Sequence, residues 1–255
     1  MNFSVLGSGS GGNSVYADTG ETAILIDCGF SGKEITCRLE SIGKNAERLA
    51  AIIITHEHID HIAGAGVMAR KYDLPVYANA GTFLGAAKKI GKLPKPIEFE
   101  TGTAFTIGDL DIRSFRISHD TADPVGFILK SHNSALGYCT DTGKATHLMA
   151  QRLKECNGLI LEFNHDPEML KNGPYPLALQ QRVRSEHGHL SNQEATDFLD
   201  IIHHGKMKHV VLAHLSETNN LPDIAIAGIK ANRKNYGKTQ FHIASQHQPT
   251  SVLTI

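Results

Sequence analysis

Short runs of apolar and β-branched residues alternate with polar, glycine-containing turns along most of the chain. Such runs predict strands, and they are NFSVLG, SVYAD, TAILIDCG, AIIIT, LPVYAN, GLILEF, HVVLAH, TQFHIA and SVLTI. Between residues 97 and 141 the runs follow one another through tight turns, which predicts antiparallel strands. Helical spacing predicts helices over residues 31–42, 60–72, 145–156, 166–183, 191–204 and 222–235. Strands and helices in both halves predict an α/β (α+β) fold with helices on the outer faces of mixed sheets.

Composition narrows the class of protein. The 255 residues show no repeat and no linker-like change of composition, so we expect one domain over residues 1–255. The formal net charge of −1 gives no overall sign of the strongly basic surface that is typical of nucleic-acid binders. The 15 histidines favour metal chemistry, because histidine is the commonest metal ligand.

The cysteines and the amino-terminal segment indicate a cytoplasmic protein. Cys28, Cys37, Cys139 and Cys156 lack metal-ligand spacing, and we expect small, buried, reduced side chains. The opening MNFSVLGSGS does not have the pattern of a signal peptide, and no apolar stretch is long enough to span a bilayer. We therefore expect a cytoplasmic location and no membrane partner. The oligomeric state cannot be predicted from these patterns.

The motif HEHIDH directly follows the predicted strand AIIIT at residues 51–55. Since side chains alternate along an extended chain, His56 and His58 project to the same side. Asp60 and His61 then fall on the first turn of the next helix. The carboxyl end of a strand is where open α/β sheets usually place their sites. Nitrogen and oxygen ligands in this pattern predict a site for zinc, iron or manganese, without selecting among them.

Three later segments each place a candidate ligand just after a β-type run. They are FRISHD with His119, LGYCTD with Asp141, and VVLAH with His214. A single histidine after a strand would be weak evidence, but three such segments in succession indicate that these side chains join the first cluster. Together they supply enough ligands for two divalent metal ions.

This set of motifs resembles that of the metallo-β-lactamase superfamily. The resemblance implies a four-layer αββα sandwich with a dinuclear site between the edges of two sheets. It also implies one metal held by His56, His58 and His119, and a second held by Asp60, His61 and His214. Asp141 would bridge the two metals. Asp27, in LIDCG, matches the first motif of the superfamily and is expected to brace the ligand loop.

Further segments resemble one group within the superfamily. LGSGSGGN, LEFNHDPEML, NGPYP, HGHLSN and AHLSETNN resemble the YycJ/WalJ-type members, bacterial relatives of ribonuclease Z and of the carbon–phosphorus lyase phosphodiesterase. This resemblance implies a metal-dependent phosphodiester hydrolase, with 5′–3′ DNA exonuclease activity the expected assignment. The partner would be DNA or a small phosphodiester. Phe163 stands where this group usually has Ser, so an identical substrate does not follow.

The same segments supply candidates for catalysis and substrate binding. Glu162 and His189 match a pair that protonates the leaving oxygen in ribonuclease Z relatives; the alternative is a structural hydrogen-bonded pair. Asp60 and Asp141 would fix the nucleophile. The candidates for substrate contacts are Ser8, Ser10, Asn13 and Asn220. The glycine-rich loop that carries the first three can equally be a turn between strands.

Basic residues are concentrated in two places. Arg182 and Arg184 precede HGHLSN, and a second group consists of Lys206, Lys208, Lys230, Arg233, Lys234 and Lys238. On one face they would contact phosphates, but solvated helix faces explain them equally well.

Flavodiiron members of the superfamily carry Glu at the position of His58, so a redox role is not expected. Three other functions stay open. A phosphodiester hydrolase is the first hypothesis. A thiolester or lactone hydrolase of the glyoxalase II type would use the same ligands. A non-catalytic metal-binding module is the third, although it would not need all seven ligands.

Overall fold

The computed structural model describes residues 1–231 and 236–255. Its strands are β1 (Asn2–Gly7), β2 (Ser14–Asp18), β3 (Ala23–Ile26), β4 (Leu49–Ile53), β5 (Pro75–Ala78), β6 (Lys95–Glu98), β7 (Ala104–Ile107), β8 (Leu110–Arg116), β9 (Val125–Ser131), β10 (Ser134–Cys139), β11 (Gly158–Glu162), β12 (His209–Ala213), β13 (Gln240–Ile243) and β14 (Leu253–Thr254). Its helices are α1 (Gly32–Ser41), α2 (Ile59–Ile62), α3 (Ala65–Tyr72), α4 (Ala80–Ile90), α5 (His147–Leu153), α6 (Pro167–Asn172), α7 (Leu177–Val183), α8 (Asn192–Ile202) and α9 (Pro222–Ala231).

The strands form two seven-stranded sheets. The first has the order β14-β1-β2-β3-β4-β5-β6, and the second has the order β13-β12-β11-β10-β9-β8-β7. Their inner faces share one apolar core, in which Ile53 of β4 and Val211 of β12 are fully buried. Burial of this apolar surface is the main force that holds the sheets together.

Helices cover the outer face of each sheet. Residues of α1, α3 and α4 form an apolar cluster with β3, β4 and β5. Residues of α5, α8 and α9 do the same with β10, β11 and β12. The predicted αββα sandwich is therefore confirmed. Within the described part of the chain, no helix has the length and apolar character needed to cross a bilayer.

Two details of the predicted elements were wrong or incomplete. Residues 97–98 belong to β6, which pairs parallel to β5 in the first sheet instead of continuing the antiparallel run. Only after the turn at residues 99–103 does the chain enter the second sheet. The pattern assigned no element to α4, although Asn79 caps it by accepting a hydrogen bond from the Thr82 amide.

The cysteine prediction was right for three of the four residues. Cys28, Cys139 and Cys156 are buried and free, whereas Cys37 is free but exposed on α1. No disulfide joins the cysteines.

Candidate metal centre

The site lies where several strands end at the same edge of the two sheets. Asp27 follows β3, and His56 follows β4 after a short extended segment. In the second sheet, Asp141, Glu162 and His214 stand at the carboxyl ends of the neighbouring strands β10, β11 and β12. Parallel pairing of β10, β11 and β12 brings these three ends together.

Three of these strand ends turn through the left-handed backbone region. The φ angles are 59° at Asp27, 58° at Asp141 and 55° at His214. This conformation costs a non-glycine residue about 1–2 kcal/mol, and such residues cluster at functional sites. The sharp turns leave the three side chains inside the site, where all are buried.

The predicted ligands converge into two groups. His56, His58 and His119 form the first group, and Asp60, His61, Asp141 and His214 form the second; within each, the candidate ligand atoms lie within 4.8 Å of one another. Asp141 contacts both groups. Its Oδ1 is 3.9 Å from His119 Nε2 and 3.3 Å from His214 Nε2. Its Oδ2 is 3.3 Å from His61 Nε2.

Three buried histidines of the centre, His61, His119 and His214, are each oriented by a hydrogen-bond partner on Nδ1. Asp27 Oδ2 lies 2.8 Å from His61 Nδ1, and Glu162 Oε1 lies 2.9 Å from His214 Nδ1. The backbone carbonyl of His187 lies 3.1 Å from His119 Nδ1. Such partners fix the tautomer and direct the other ring nitrogen toward a metal. In all three rings, Nε2 therefore faces the centre.

Asp27 and Asn13 brace the loop of residues 55–61, which carries four of the candidate ligands. Asp27 accepts hydrogen bonds from the Thr55 amide and hydroxyl and from the Tyr138 hydroxyl. The Asn13 amide group lies 3.2 Å from Asp60 Oδ2 and 3.1 Å from His61 Nε2. Gly29 is needed here, because a Cβ at this position would lie 1.7 Å from the Asp60 carbonyl oxygen.

The electrostatics of the centre favour bound positive charge. Burial alone would raise the pKa of Asp141, yet His214 and His61 hold it well below its usual range. Conversely, burial opposes a charged imidazole, but Asp141, Asp60 and Glu162 raise the pKa of His214 to about 10. A divalent cation bound to neutral imidazoles would supply the same positive charge.

Unpartnered polar atoms provide an independent test of fit for a metal. His56 Nε2, His214 Nε2 and Asp141 Oδ2 are buried and have no hydrogen-bond partner among the described residues. Buried polar atoms without partners are rare and call for an explanation such as an ion. The donor set, imidazole and carboxylate, suits zinc, manganese or iron. The residues therefore fit a metal centre.

Glu162 has more partners than the sequence indicated. It is fully buried; Oε1 lies 2.8 Å from His189 Nδ1, as well as contacting His214. Its Oε2 accepts hydrogen bonds from the amides of Thr142 and Leu190. Burial raises the pKa of this carboxyl, but His189 and His214 lower it to about 2. A single carboxylate thus links the predicted acid residue to a predicted metal ligand.

The four candidates for substrate contacts have different surroundings. Ser10 is exposed in the glycine-rich loop. Ser8 Oγ donates to Asn13 Oδ1 and accepts from the His214 amide. The Asn220 side chain is buried; it exchanges hydrogen bonds with Asn192 and donates to the Phe163 carbonyl. Ser8, Asn13 and Asn220 are therefore engaged within the protein, and Ser10 is the freely exposed member of the four.

The remaining polar residues of these motifs are also placed. His165 is buried, and Asp166 caps α6 by accepting from the Met169 amide. Phe163 lies in the apolar core behind β11.

Three of the six residues in the second basic group lie away from the centre. Lys206 and Lys208 precede β12 and Lys238 precedes β13, so they lie at the sheet edge opposite His214. Arg233 and Lys234 fall outside the described residues. Arg182 is different, since its Nε lies 2.6 Å from Asp120 Oδ2, next to the first group of histidines.

Comparison with known proteins agrees with this geometry. Residues 22–215 match the model of the beta-lactamase superfamily domain. The chain belongs to this superfamily. Within the superfamily, it is 38% identical to exodeoxyribonuclease YycJ of Bacillus anthracis, over 99% of the chain and 98% of the relative. It is 40% identical to exodeoxyribonuclease WalJ of Streptococcus pneumoniae, over 88% of the chain and 84% of the relative. The expected YycJ/WalJ-type membership is thus confirmed.

A solved structure supports the fold. The metallo-beta-lactamase fold protein YhfI from Bacillus subtilis aligns with a TM-score of 0.75 at 20% identity, covering 98% of the chain and 99% of YhfI. At 20% identity, this likeness shows that the two proteins share a fold, and no more.

Proposed function

We propose that this chain is a metal-dependent nuclease that hydrolyses phosphodiester bonds in DNA from a strand end. The observation that carries the proposal is the position of the buried Asp141, a member of the second group whose Oδ1 lies 3.9 Å from His119 of the first, in a relative of two named exodeoxyribonucleases. The alternative of thiolester or lactone hydrolysis has no comparable support.

The proposed centre holds two divalent cations, zinc, manganese or iron. His56, His58 and His119 would hold one, and Asp60, His61 and His214 would hold the other, with Asp141 shared. Such a pair makes hydroxide available from water near neutral pH and neutralises the charge that builds on a phosphate during hydrolysis. All other steps of the reaction fall to the protein's own side chains.

Orientation is the first task of those side chains. Asp27 holds His61, and Glu162 holds His214, each through a buried hydrogen bond to Nδ1. Asp60 and Asp141 present carboxylate oxygens toward the same volume, where they would orient the attacking water. Fixed groups of this kind need little rearrangement during the reaction, which is how a preorganised site lowers a barrier.

Proton transfer to the leaving oxygen is assigned to His189. Its Nδ1 is engaged by Glu162, whereas its Nε2 makes no hydrogen bond to any described residue. Glu162 orients the ring through Nδ1, so Nε2 is the nitrogen that is left to transfer a proton to the leaving oxygen. Its side chain is 19% exposed, so a bound substrate can reach it.

The decisive experiment digests end-labelled DNA and RNA, single- and double-stranded, with and without a 5′ phosphate, in the presence of zinc, manganese or iron. We expect stepwise shortening of DNA from one end, and about two metal ions per chain by elemental analysis. A small thiolester and bis-p-nitrophenyl phosphate are assayed in parallel. Hydrolysis of the thiolester without any phosphodiester cleavage would overturn the proposal.

A further inference from the structure

Arg182, at the end of α7, stands at the rim of the first histidine group. Its Nε donates to Asp120 Oδ2 over 2.6 Å. The other oxygen of Asp120 lies 3.5 Å from His119 Nε2 and 3.7 Å from His58 Nε2. Only one carboxylate therefore separates the guanidinium group from two of the proposed metal ligands.

The backbone around Arg182 is fixed to the loop that carries His189. The His189 amide donates to the Val183 carbonyl over 2.9 Å. Gly188 packs so closely that a Cβ there would lie 2.3 Å from the Arg182 carbonyl oxygen. Arg182 is thus held at two points, its guanidinium group by Asp120 and its backbone by the His189 loop.

The remaining donors of Arg182 are open. Its two terminal nitrogens donate no hydrogen bond to any described residue, and the side chain is 56% exposed. Lys144, another cation near the same loops, is instead paired with Glu186. A guanidinium group that is held at Nε and open at its terminal nitrogens matches the geometry of a phosphate, to which it can donate two parallel hydrogen bonds.

We propose that Arg182 binds a backbone phosphate next to the one being cleaved, on the side of His58 and His119, with Asp120 as its positioning residue. This inference rests on the proposed nuclease function. The scissile phosphate belongs between the two metal groups, and Arg182 lies outside the first group, beyond Asp120. A nucleic-acid strand carries a further phosphate at each step, which a small thiolester or a single phosphodiester does not.

The test compares substrates with one and with two phosphates. A dinucleotide with one internucleotide phosphate is compared with the same dinucleotide carrying a 5′ phosphate and with a trinucleotide. For the wild type we expect a higher kcat/KM from the second phosphate, and the two longer substrates show on which side it binds. In R182Q, the rise in kcat/KM given by the second phosphate should be about 10- to 100-fold smaller than in the wild type, mainly through KM. R182K should retain part of this rise. D120N should lose less than R182Q.

Arg184 provides a matched control. It is exposed, lies two residues away on the same helix end, and makes no side-chain hydrogen bond or ion pair with a described residue. R184Q removes the same charge and should behave as the wild type. On longer single-stranded DNA, R182Q should also lower the slope of log affinity against log salt by about 0.7, the value for one lost phosphate contact, while R184Q should not.

Three results would overturn the inference. The first is an equal benefit from the second phosphate in R182Q and wild type. The second is an equal loss by R182Q on all substrates, bis-p-nitrophenyl phosphate included, together with a lower metal content, since that indicates a merely structural tether. The third is a wild type that cleaves phosphodiesters but gains nothing from a second phosphate. A wild type that cleaves no phosphodiester would instead refute the nuclease function itself.

Discussion

Glu162 Oε1 lies 2.9 Å from His214 Nδ1, and both side chains are buried. Sequence motifs pair this glutamate with His189 alone, which it also contacts at 2.8 Å. One oxygen therefore serves a proposed metal ligand and the proposed general acid. A change at Glu162 should therefore disturb both metal binding and proton transfer. The sequence motif alone would predict an effect on proton transfer only.

The first prediction concerns Glu162→Gln. The amide keeps the size of the side chain but removes the charge that fixes both imidazoles. We expect metal affinity to fall about 10- to 100-fold, and turnover with saturating metal to fall about 100-fold or more. Metal titration by calorimetry and steady-state rates on DNA measure the two effects separately.

Glu194→Gln is the control for this prediction. Glu194 is exposed and accepts hydrogen bonds from the Ser191 amide and hydroxyl at the start of α8. The same chemical change there weakens only a helix cap, so metal affinity should stay at the wild-type level. Wild-type metal affinity in Glu162→Gln would contradict the dual role.

The second prediction concerns the stability that a bound metal adds. A ligand at 100 times its dissociation constant stabilises the folded state by about 2.7 kcal/mol. For a chain of this size, that corresponds to a rise in Tm of about 5–10 °C. Chelation should lower the Tm by a similar amount and abolish activity, and adding the metal back should restore both.

Asp141→Ala tests whether this stabilisation depends on the proposed centre. Asp141 contacts both histidine groups, so its loss should abolish activity and most of the metal-dependent rise in Tm. Differential scanning calorimetry with and without metal measures the rise. Substantial metal-supported turnover by this variant would contradict the shared role of Asp141.

The third prediction concerns the close contact between Gly29 and the ligand loop. A methyl group at Gly29 would meet the Asp60 carbonyl oxygen at 1.7 Å, and backbone atoms cannot move aside as a flexible side chain can. We expect Gly29→Ala to lower the free energy of unfolding by about 3 kcal/mol or more and to weaken metal binding. Chemical denaturation of the metal-free protein measures the stability.

Gly205→Ala is the matched substitution. A Cβ at Gly205 would have no heavy atom within 4 Å, and this glycine does not have a positive φ. Its free energy of unfolding should stay within about 0.5 kcal/mol of the wild type. Equal stabilities for the two variants would mean that the ligand loop accommodates the methyl group.

The sequence indicates the candidate ligands but not the groups that orient them. His56, Asp141 and His214 are candidate ligands because each follows an apolar strand, a pattern that the local sequence displays. Nothing local indicates that the His187 carbonyl orients His119, since a backbone group leaves no signature in the sequence. These partners are set by how the loops pack.

The same limit explains Asn13 and Asn220. A glycine-rich loop with polar residues suggests phosphate binding, yet Asn13 braces Asp60 and Asn220 ties together β11 and the start of α8. A polar side chain in a motif can serve the substrate or the scaffold, and only its contacts distinguish the two. Elements were predicted well where apolar runs were long, but β6 was assigned to the wrong sheet because pairing partners depend on distant contacts.

The last prediction separates bracing from simple burial at Asp27. Asp27 accepts from Thr55 and Tyr138 and lies 2.8 Å from His61 Nδ1. Asp27→Asn removes the charge that holds the His61 ring, so metal affinity should fall about 10- to 100-fold, with the second metal lost first. Tyr138→Phe removes one 3.2 Å hydrogen bond to the same carboxylate and leaves the charge in place, so its metal affinity should stay within a few-fold of the wild type. Elemental analysis after dialysis against graded metal concentrations compares the variants. Full occupancy of both metals in Asp27→Asn under conditions that load the wild type would show that His61 is held by packing alone.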